Sequence, residues 1–343
     1  MSFVFADTGD SRTRAEGILT PRCVSGTRQP RDDFAAMLDL TAGDSDTVPI
    51  DARDGVAGLD ADSPKIVSIS DIHGYLGAAR SALKTLGDHP AYDPLVTTDD
   101  EGRLHWSGDD AYVLVVNGDI IDRGPDNDGV IALVERLARE APPGHVRVTL
   151  GNHEWGVLFP SLVHWDEWYS GQRTDEDRRQ LCSVVERGHL IAAYRGYNFT
   201  YAHAGLVTDY DARTLNDNFV EAMLELRETI GTDEDDETQK RLVDDYRQVL
   251  SLGRQGGRGF GAGIAWLDFR FLTDDAQPQI VGHTRQEQPV QKGNVVCENV
   301  IRANQENPGG EGVMVETPDS LVSLERTFDG DVEEFEFEIP EAE

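Results

Sequence analysis

The sequence predicts an α/β layer fold, and two observations carry that reading. Short apolar, β-branched runs alternate with segments whose apolar residues recur at helical spacing, and these strand-loop-helix units repeat along the middle of the 343-residue chain. Such alternation argues for a parallel sheet covered by helices. In order, KIVSIS (65–70) is a strand that ends in DIHG and leads into the helical YLGAARSALKTLG. AYVLVVNGD followed by GVIALVERLARE repeats the unit, and HVRVTLGNHE followed by a Trp-rich insertion begins a third. YNFTYAHAG reads as a further strand, then come polar helical stretches at 211–230 and 236–252 and a flexible loop, GRQGGRGFGAG. The runs QIVGHT, NVVC, GVMVET, SLVSLER and EFEFEI close the chain as strands.

Residues 1–63 are read as an acidic N-terminal extension, poorly ordered or loosely docked, with one amphipathic stretch, DDFAAMLDL (32–40). Residues 64–330 form the main domain, with helical insertions at about 155–193 and 211–252, and 331–343 an acidic C-terminal tail. Length alone also allows two domains, but one large domain with insertions fits equally well. Three widely spaced cysteines, Cys23, Cys182 and Cys297, suggest neither a disulfide framework nor a zinc cluster.

The chain has 64 acidic against 31 basic side chains, a formal charge of -33. That balance excludes a basic footprint for a nucleic-acid backbone. No apolar run approaches the ~20 residues that cross a bilayer, and a soluble, cytoplasmic protein is expected. The acids are 39 Asp and 25 Glu, and the cations are 27 Arg and only four Lys (Lys65, Lys84, Lys240, Lys292). This composition resembles that of proteins from salt-accumulating halophiles; a high-GC genome also favours Arg over Lys.

The chemistry concentrates where apolar strands end, which is where open α/β sheets bind ligands. The first strand ends in Asp71 and His73, the second in Asp119 with Asp122 and Arg123, the third in Asn152, His153 and Glu154. Two more end in His203 (AHAG) and His283 (VGHT). Imidazole and carboxylate suit borderline divalent ions such as Mn, Fe, Zn or Co, and an Asp between two ions bridges them. The adjacent glycines (Gly74, Gly118, Gly124, Gly151, Gly205, Gly282) permit the tight turns this needs. His105, His145, His164 and His189 read instead as structural residues.

DIHG, GDIIDRG, GNHE, AHAG and GHT, in this order, resemble the signature of the metallophosphoesterase superfamily. The DRG after GD and the Glu after GNH are similar to the phosphoprotein phosphatase branch, which holds Ser/Thr protein phosphatases and symmetrical diadenosine tetraphosphatases. The resemblance spans about residues 65–285 and implies a two-sheet β-sandwich core flanked by helices, with the metal site at the C-terminal ends of strands. It implies two divalent ions, Mn above Fe, Zn or Co: Asp71 and His73 on the first, Asp119 bridging, and Asn152, His203 and His283 on the second. His153 is then the general acid, oriented by Asp122, and Arg123 binds the phosphate. Ser70 stands where the family usually has Gly, and HAG replaces HGG; neither change removes a ligand.

These residue types suit the implied chemistry. Two ions clamp attacking and leaving oxygens and activate a bridging water, Arg matches a phosphate bidentately, and a His beside a carboxylate has its cationic form favoured, the state a general acid needs. The ions with Arg123 also reverse the local sign of a -33 protein. A second phosphate arginine is expected from Arg254, Arg258 or Arg270, which spacing does not separate. IAWLDFRF resembles the family's WxD element, with Trp266 read as a core residue. The aromatics of FPSLVHWDEWY (159–169) either stack an adenine or pack into the core, and packing is the preferred reading. GRQGGRGFGAG lacks the GxGxxG pattern of a dinucleotide loop. TDEDDETQ (232–239) is read as solvated surface, and EEFEFEIPEAE as an edge protected by charge. The expected function is a phosphomonoesterase acting on phosphorylated protein. The alternatives are a dinucleoside tetraphosphate hydrolase or a non-catalytic metal-binding module. No membrane or nucleic-acid partner is expected, and the oligomeric state is not assigned.

Overall fold

Strands that are apolar on both faces must be covered on both faces, and the computed structural model, which describes residues 48–305 and 309–340, arranges them so. The chain runs through α1 (Ile50–Asp54), β1 (Lys65–Ile69), α2 (Leu76–Asp88), β2 (Val96–Thr98), β3 (Leu104–Trp106), β4 (Tyr112–Val116) and α3 (Asn127–Glu140). It continues as β5 (Val146–Thr149), α4 (Asn152–Leu158), α5 (Asp175–Glu186), β6 (Leu190–Ile191), β7 (Tyr194–Arg195) and β8 (Thr200–Ala202). Then follow α6 (Ala212–Thr229), α7 (Asp235–Asp245), α8 (Arg247–Leu250), β9 (Gln279–Val281), β10 (Val290–Lys292) and β11 (Val295–Cys297), with β12 (Gly312–Thr317), β13 (Ser320–Arg326) and β14 (Val332–Phe337) last.

The strands form a seven-stranded sheet in the order β14-β13-β12-β1-β4-β5-β6 and a five-stranded sheet in the order β10-β11-β9-β8-β7. The first is mixed rather than purely parallel: β1, β4, β5 and β6 are parallel neighbours, and β12 pairs antiparallel with β1. Between the sheets lies an apolar layer that includes Ile66, Val113, Val115, Tyr201, Ile280 and Val296. Each such aliphatic side chain contributes about 2 kcal/mol when fully buried. The outer face of the larger sheet is covered by α2 and α3, whose buried stripes (Ala79, Leu83, Leu86; Val130, Val134, Leu137) follow the helical period. A small hairpin, β2–β3, was not anticipated.

A polar seam also joins the sheets beneath the strand ends. Glu298, after β11, accepts from Ser68 Oγ (2.5 Å) and Asn117 Nδ2 (3.1 Å), and Thr149 Oγ1 donates to Asn117 Oδ1 (2.8 Å). Burial pushes the Glu298 carboxyl up to about 8.

The main unit extends past both boundaries drawn from the sequence. Residues 332–337 are not a tail: β14 is an edge strand against β13, its exposed face rich in Glu. Residues 48–63 are docked rather than loose. Arg53 pairs with Asp54 (2.6 Å) and Asp217 (2.7 Å), and Asn216 on α6 donates to Asp54 (2.9 Å) while its carbonyl accepts from Ala192 and Ala193. The stretch DDFAAMLDL lies outside the described residues. The acidic run 232–239 is only partly solvated surface. Asp235 is buried under the Arg178 fork (2.6 and 2.8 Å), and buried Gln239 accepts from Ser161 N–H (3.0 Å).

Candidate metal centre

Five strand ends, three from the larger sheet and two from the smaller, converge at one rim. β1 delivers Asp71 and His73, β4 delivers Asp119, the start of α4 delivers Asn152 and His153, β8 delivers His203, and β9 delivers His283. All seven are buried. The turns that aim them are unusual: among the described residues nine non-glycine positions have positive φ, and six of these are Asp71, His73, Asp119, Asp122, Arg123 and His283. Such conformations cost about 1–3 kcal/mol each and persist where surrounding contacts enforce them.

Those contacts are specific. Glu154 is buried and accepts from the N–H groups of Asp119 (2.9 Å) and Ile120 (3.0 Å), which fixes the Asp119 turn; burial pushes its carboxyl up to about 8, with the Asp119 charge adding to the effect. His153 N–H donates to Asp119 Oδ1 (2.9 Å), and His283 N–H to Asp71 Oδ2 (2.9 Å). Gly151 and Gly282 leave room for this: a Cβ would lie 2.3 Å from Asp119 Oδ1 at the first and 2.3 Å from Asp71 Oδ2 at the second.

The imidazoles are oriented by backbone carbonyls. His73 Nδ1–H donates to Ile121 O (2.9 Å) and His203 Nδ1–H to Asn117 O (2.9 Å), so each turns its Nε2 lone pair inward. Asp119 Oδ2 lies 3.5 Å from His73 Nε2, 3.4 Å from His203 Nε2 and 3.8 Å from His153 Nε2. His283 Nδ1 lies 2.8 Å from Asn152 Oδ1 and 3.2 Å from His203 Nε2. Two sets of donor atoms, those of His73, Asp119 and His153 and those of Asp119, His203 and His283, each fall within 4.8 Å of one another and share Asp119.

Protons compete for this site. Burial pushes Asp71 up to about 6. Burial disfavours the His203 cation, yet the Asp119 and Asp71 carboxylates hold it at about 9. A divalent ion entering here therefore displaces protons.

Beside the donors lies a dyad. His153 Nδ1–H donates to Asp122 Oδ2 at 2.5 Å. Asp122 is itself gripped by Ser170, whose N–H donates to Oδ1 (2.7 Å) and whose Oγ–H donates to Oδ2 (2.6 Å). The His153 ring packs against Trp165 (centroids 4.9 Å apart, 17° between planes) and Trp168 (5.1 Å, 25°). Trp165 meets Trp266, which meets Trp155. The aromatics of the insertion thus pack on the imidazole, the packing reading over the stacking one. Ser170 was missed in the sequence; a lone serine in an aperiodic loop has no signal that marks it.

Arg123 stands at the mouth, its Nη2 3.3 Å from His153 Nε2 and its guanidinium over Trp168 (4.7 Å). The three arginines left open separate cleanly. Arg258 Nε donates to His283 Nε2 (2.9 Å), at the edge of the site. Arg270 is exposed, beside Asp268 (3.6 Å) and over Phe271, and Arg254 is exposed on the glycine-rich loop; neither joins the cluster. Arg302, not foreseen, is near enough to Arg123 for the two charges to repel.

Residues 64–284 match the calcineurin-like phosphoesterase family. The chain belongs to that family. A stretch of 136 residues is 34% identical to Shewanella-like protein phosphatase 2 of Arabidopsis thaliana, and it covers 36% of this chain and 31% of that one. The alignment thus spans about a third of the relative's length. The cold-active protein-tyrosine phosphatase of a psychrophilic Shewanella species superposes with a TM-score of 0.51 at 19% identity, over 84% of this chain and 85% of that chain. A mutant of a cold-active protein tyrosine phosphatase gives 0.53 at 18% identity, over 82% and 83%. At these identities the likeness concerns the fold.

The phosphoesterase is a metal-dependent hydrolase by family, and its donor set fits divalent ions. Asp71 Oδ1 is buried with no hydrogen-bond partner, an orphaned oxygen that an ion would satisfy beside convergent imidazole nitrogens. A cavity of about 1660 Å³ is lined by Tyr75, Arg285 and Arg302 among others. Tyr75 follows His73 by two residues and Arg285 follows His283 by two, so two residues of the lining are near neighbours in sequence of the centre's histidines.

Proposed function

We propose that the protein hydrolyses phosphate monoesters on proteins at a dinuclear metal centre, with phosphoserine and phosphothreonine as the preferred esters. The observation that carries this reading is the His153–Asp122 pair, which holds a proton donor at the rim beside Arg123. An alkoxide leaving group is far more basic than the phenolate of tyrosine, whose phenol titrates at about 10. It therefore needs a proton from the enzyme as the P–O bond breaks.

In this reading Asp71 and His73 hold one ion, Asn152, His203 and His283 hold the other, and Asp119 joins them. When bound, the ions supply an activated water and positive charge at the phosphoryl oxygens. The chain does the rest. Arg123 orients the phosphate by a two-pronged contact. His153 gives its proton to the leaving oxygen, and Asp122, fixed by Ser170, keeps the imidazole turned outward. Arg258 Nε donates to His283 Nε2, which puts the His283 proton on Nδ1; were His283 to hold an ion through Nδ1, that proton would move to Nε2 and Arg258 would be free to meet the phosphate. Trp165 and Trp168 shield the imidazole from water.

The groove supports a polypeptide substrate. Its volume, about 1660 Å³, exceeds the ~300–1,000 Å³ of small-molecule pockets, and Arg285 and Arg302 line it. The test is a panel of phosphoserine, phosphothreonine and phosphotyrosine peptides and diadenosine tetraphosphate, with Mn at several ionic strengths. Faster turnover of the two alkyl phosphopeptides is expected. ADP release from the dinucleotide above all peptide rates would reject the reading.

A further inference from the structure

At the opposite end of β5 from the metal rim, a guanidinium is buried without a counter-charge. Arg147 pairs in register with Val115 on β4, so its side chain leaves the sheet on the inter-sheet face. It is 1% exposed. Its Nη1 donates to Val146 O (2.8 Å), while Nε and Nη2 have no partner. No described carboxylate acts on it; Tyr194 is the one titratable group whose charge would favour its own. Leaving a cation unpaired in a protein interior is strongly unfavourable, and native structures avoid it.

The groups around it are donors as well. β5 and β6 are parallel with Val148 opposite Leu190, which sets His189 opposite Arg147 on the same face. His189 Nε2 is buried and unpartnered, and so is Tyr194 Oη. Arg147 acts electrostatically on both. Glu316, the carboxylate whose charge acts on Tyr194, is already committed to the N–H groups of Asn198 and Phe199 and to Tyr201 Oη. The docked N-terminal segment covers this end of the sheet: a Cβ on Gly144 would meet Leu59, Ala52 and Arg147 Nη2 within 3.2 Å. Arg53, on that segment, is paired with Asp54 and Asp217 and brings no free charge of either sign.

Four buried polar atoms without hydrogen-bond partners thus belong to Arg147 and the two groups on which its charge acts: Arg147 Nε and Nη2, Tyr194 Oη and His189 Nε2. We propose that Arg147, His189 and Tyr194 form a buried binding site for a single halide-sized monovalent anion, chloride in practice. The Arg147 and Tyr194 groups donate as they stand, and His189 does so in its Nε2–H tautomer. A chloride accepts from all four and neutralises Arg147. Larger oxyanions are disfavoured by the closed, apolar surroundings, and the anion would lock α1 and the β6–β7 turn onto the sheet.

The experiment uses the full-length, Mn-loaded protein. Its melting temperature is followed as potassium chloride replaces potassium gluconate at constant ionic strength, and crystals grown in bromide are examined for anomalous scattering. A saturating rise of about 5 °C with chloride is expected, with an anomalous peak among the three side chains. Arg147→Met should abolish the rise, and Tyr194→Phe, which folds even if the arginine variant does not, should shift its midpoint about tenfold to higher chloride. A wild-type melting temperature indifferent to chloride, water rather than bromide beside Arg147, or an undiminished chloride response in both variants would each overturn the proposal.

Discussion

Replacing His153 by glutamine removes the proposed proton donor and keeps the backbone bond from residue 153 to Asp119. The imidazole is held by one short bond to Asp122, and that carboxylate is pinned by two more from Ser170. A general acid so fixed contributes about 10²–10⁴ in rate. A loss of about 10³, or ~4 kcal/mol of transition-state stabilisation, is expected for a phosphoserine peptide. p-Nitrophenyl phosphate releases an anion that needs no proton, so its kcat should fall less than about tenfold, the residue of lost packing against Trp165 and Trp168. Steady-state kinetics on both substrates with saturating Mn give the comparison. KM should change little for either, because the proton transfer belongs to the transition state. Equal losses on the two substrates would refute the assignment and would return His153 to a purely metal-side role.

Ser170→Ala leaves one Asp122 contact, the backbone N–H, and removes the other; kcat on phosphopeptides should drop about tenfold while p-nitrophenyl phosphate turnover is nearly unchanged, since a charge-assisted hydrogen bond is worth ~1.5–3 kcal/mol. Chelation should lower the melting temperature by several degrees and Mn should restore it, because buried Asp71 Oδ1 and the facing imidazoles lose their shared partner. Stability in chloride-free buffer should also depend on His189. Burial, with Arg147 and Arg187, lowers its folded pKa to about 4, below the unfolded value of ~6.5. The unfolded chain therefore binds the proton first, and about 3 kcal/mol is lost as pH falls from ~6.5 to ~4. Urea titrations at several pH values should show a flatter dependence for His189→Gln than for wild type, and parallel curves would contradict the shift.

The parts of this molecule that were legible in the sequence are those written in short windows. KIVSIS, YVLVV and VRVT are strands because β-branched apolar residues fit a sheet covered on both faces, and the polar residues that follow each run mark where it stops. Strand ends gather at one rim in any such fold, so Asp71, Asp119, Asn152, His203 and His283 were nameable as a group before their distances were known, and the structure brings them together. Pairings between distant segments leave no such mark. Nothing local distinguishes Arg258 from Arg254 or Arg270; the difference is the path of the glycine-rich loop, which turns Arg258 onto His283. Arg302, Ser170 and the Arg178–Asp235 pair were invisible for the same reason. The docked segment before β1 escaped because Arg53 and Asp54 look solvated in sequence and find their partners on α6, Asp217 for the first and Asn216, 162 residues beyond it, for the second.

The metal centre has one further consequence, for the order in which the protein becomes competent. His283 closes on Asp71 across 212 residues, and β9, which presents His283, pairs with β8 and β11 rather than with any strand of the larger sheet. Contacts of such separation form late, after the entropy of closing the intervening chain has been overcome. A growing polypeptide that has folded β1, β4 and β5 carries half a cage and no second wall. The donor set is complete only when β9 docks, so metal retention reports the completed fold, and truncated chains ending before residue 283 lack one of its imidazoles.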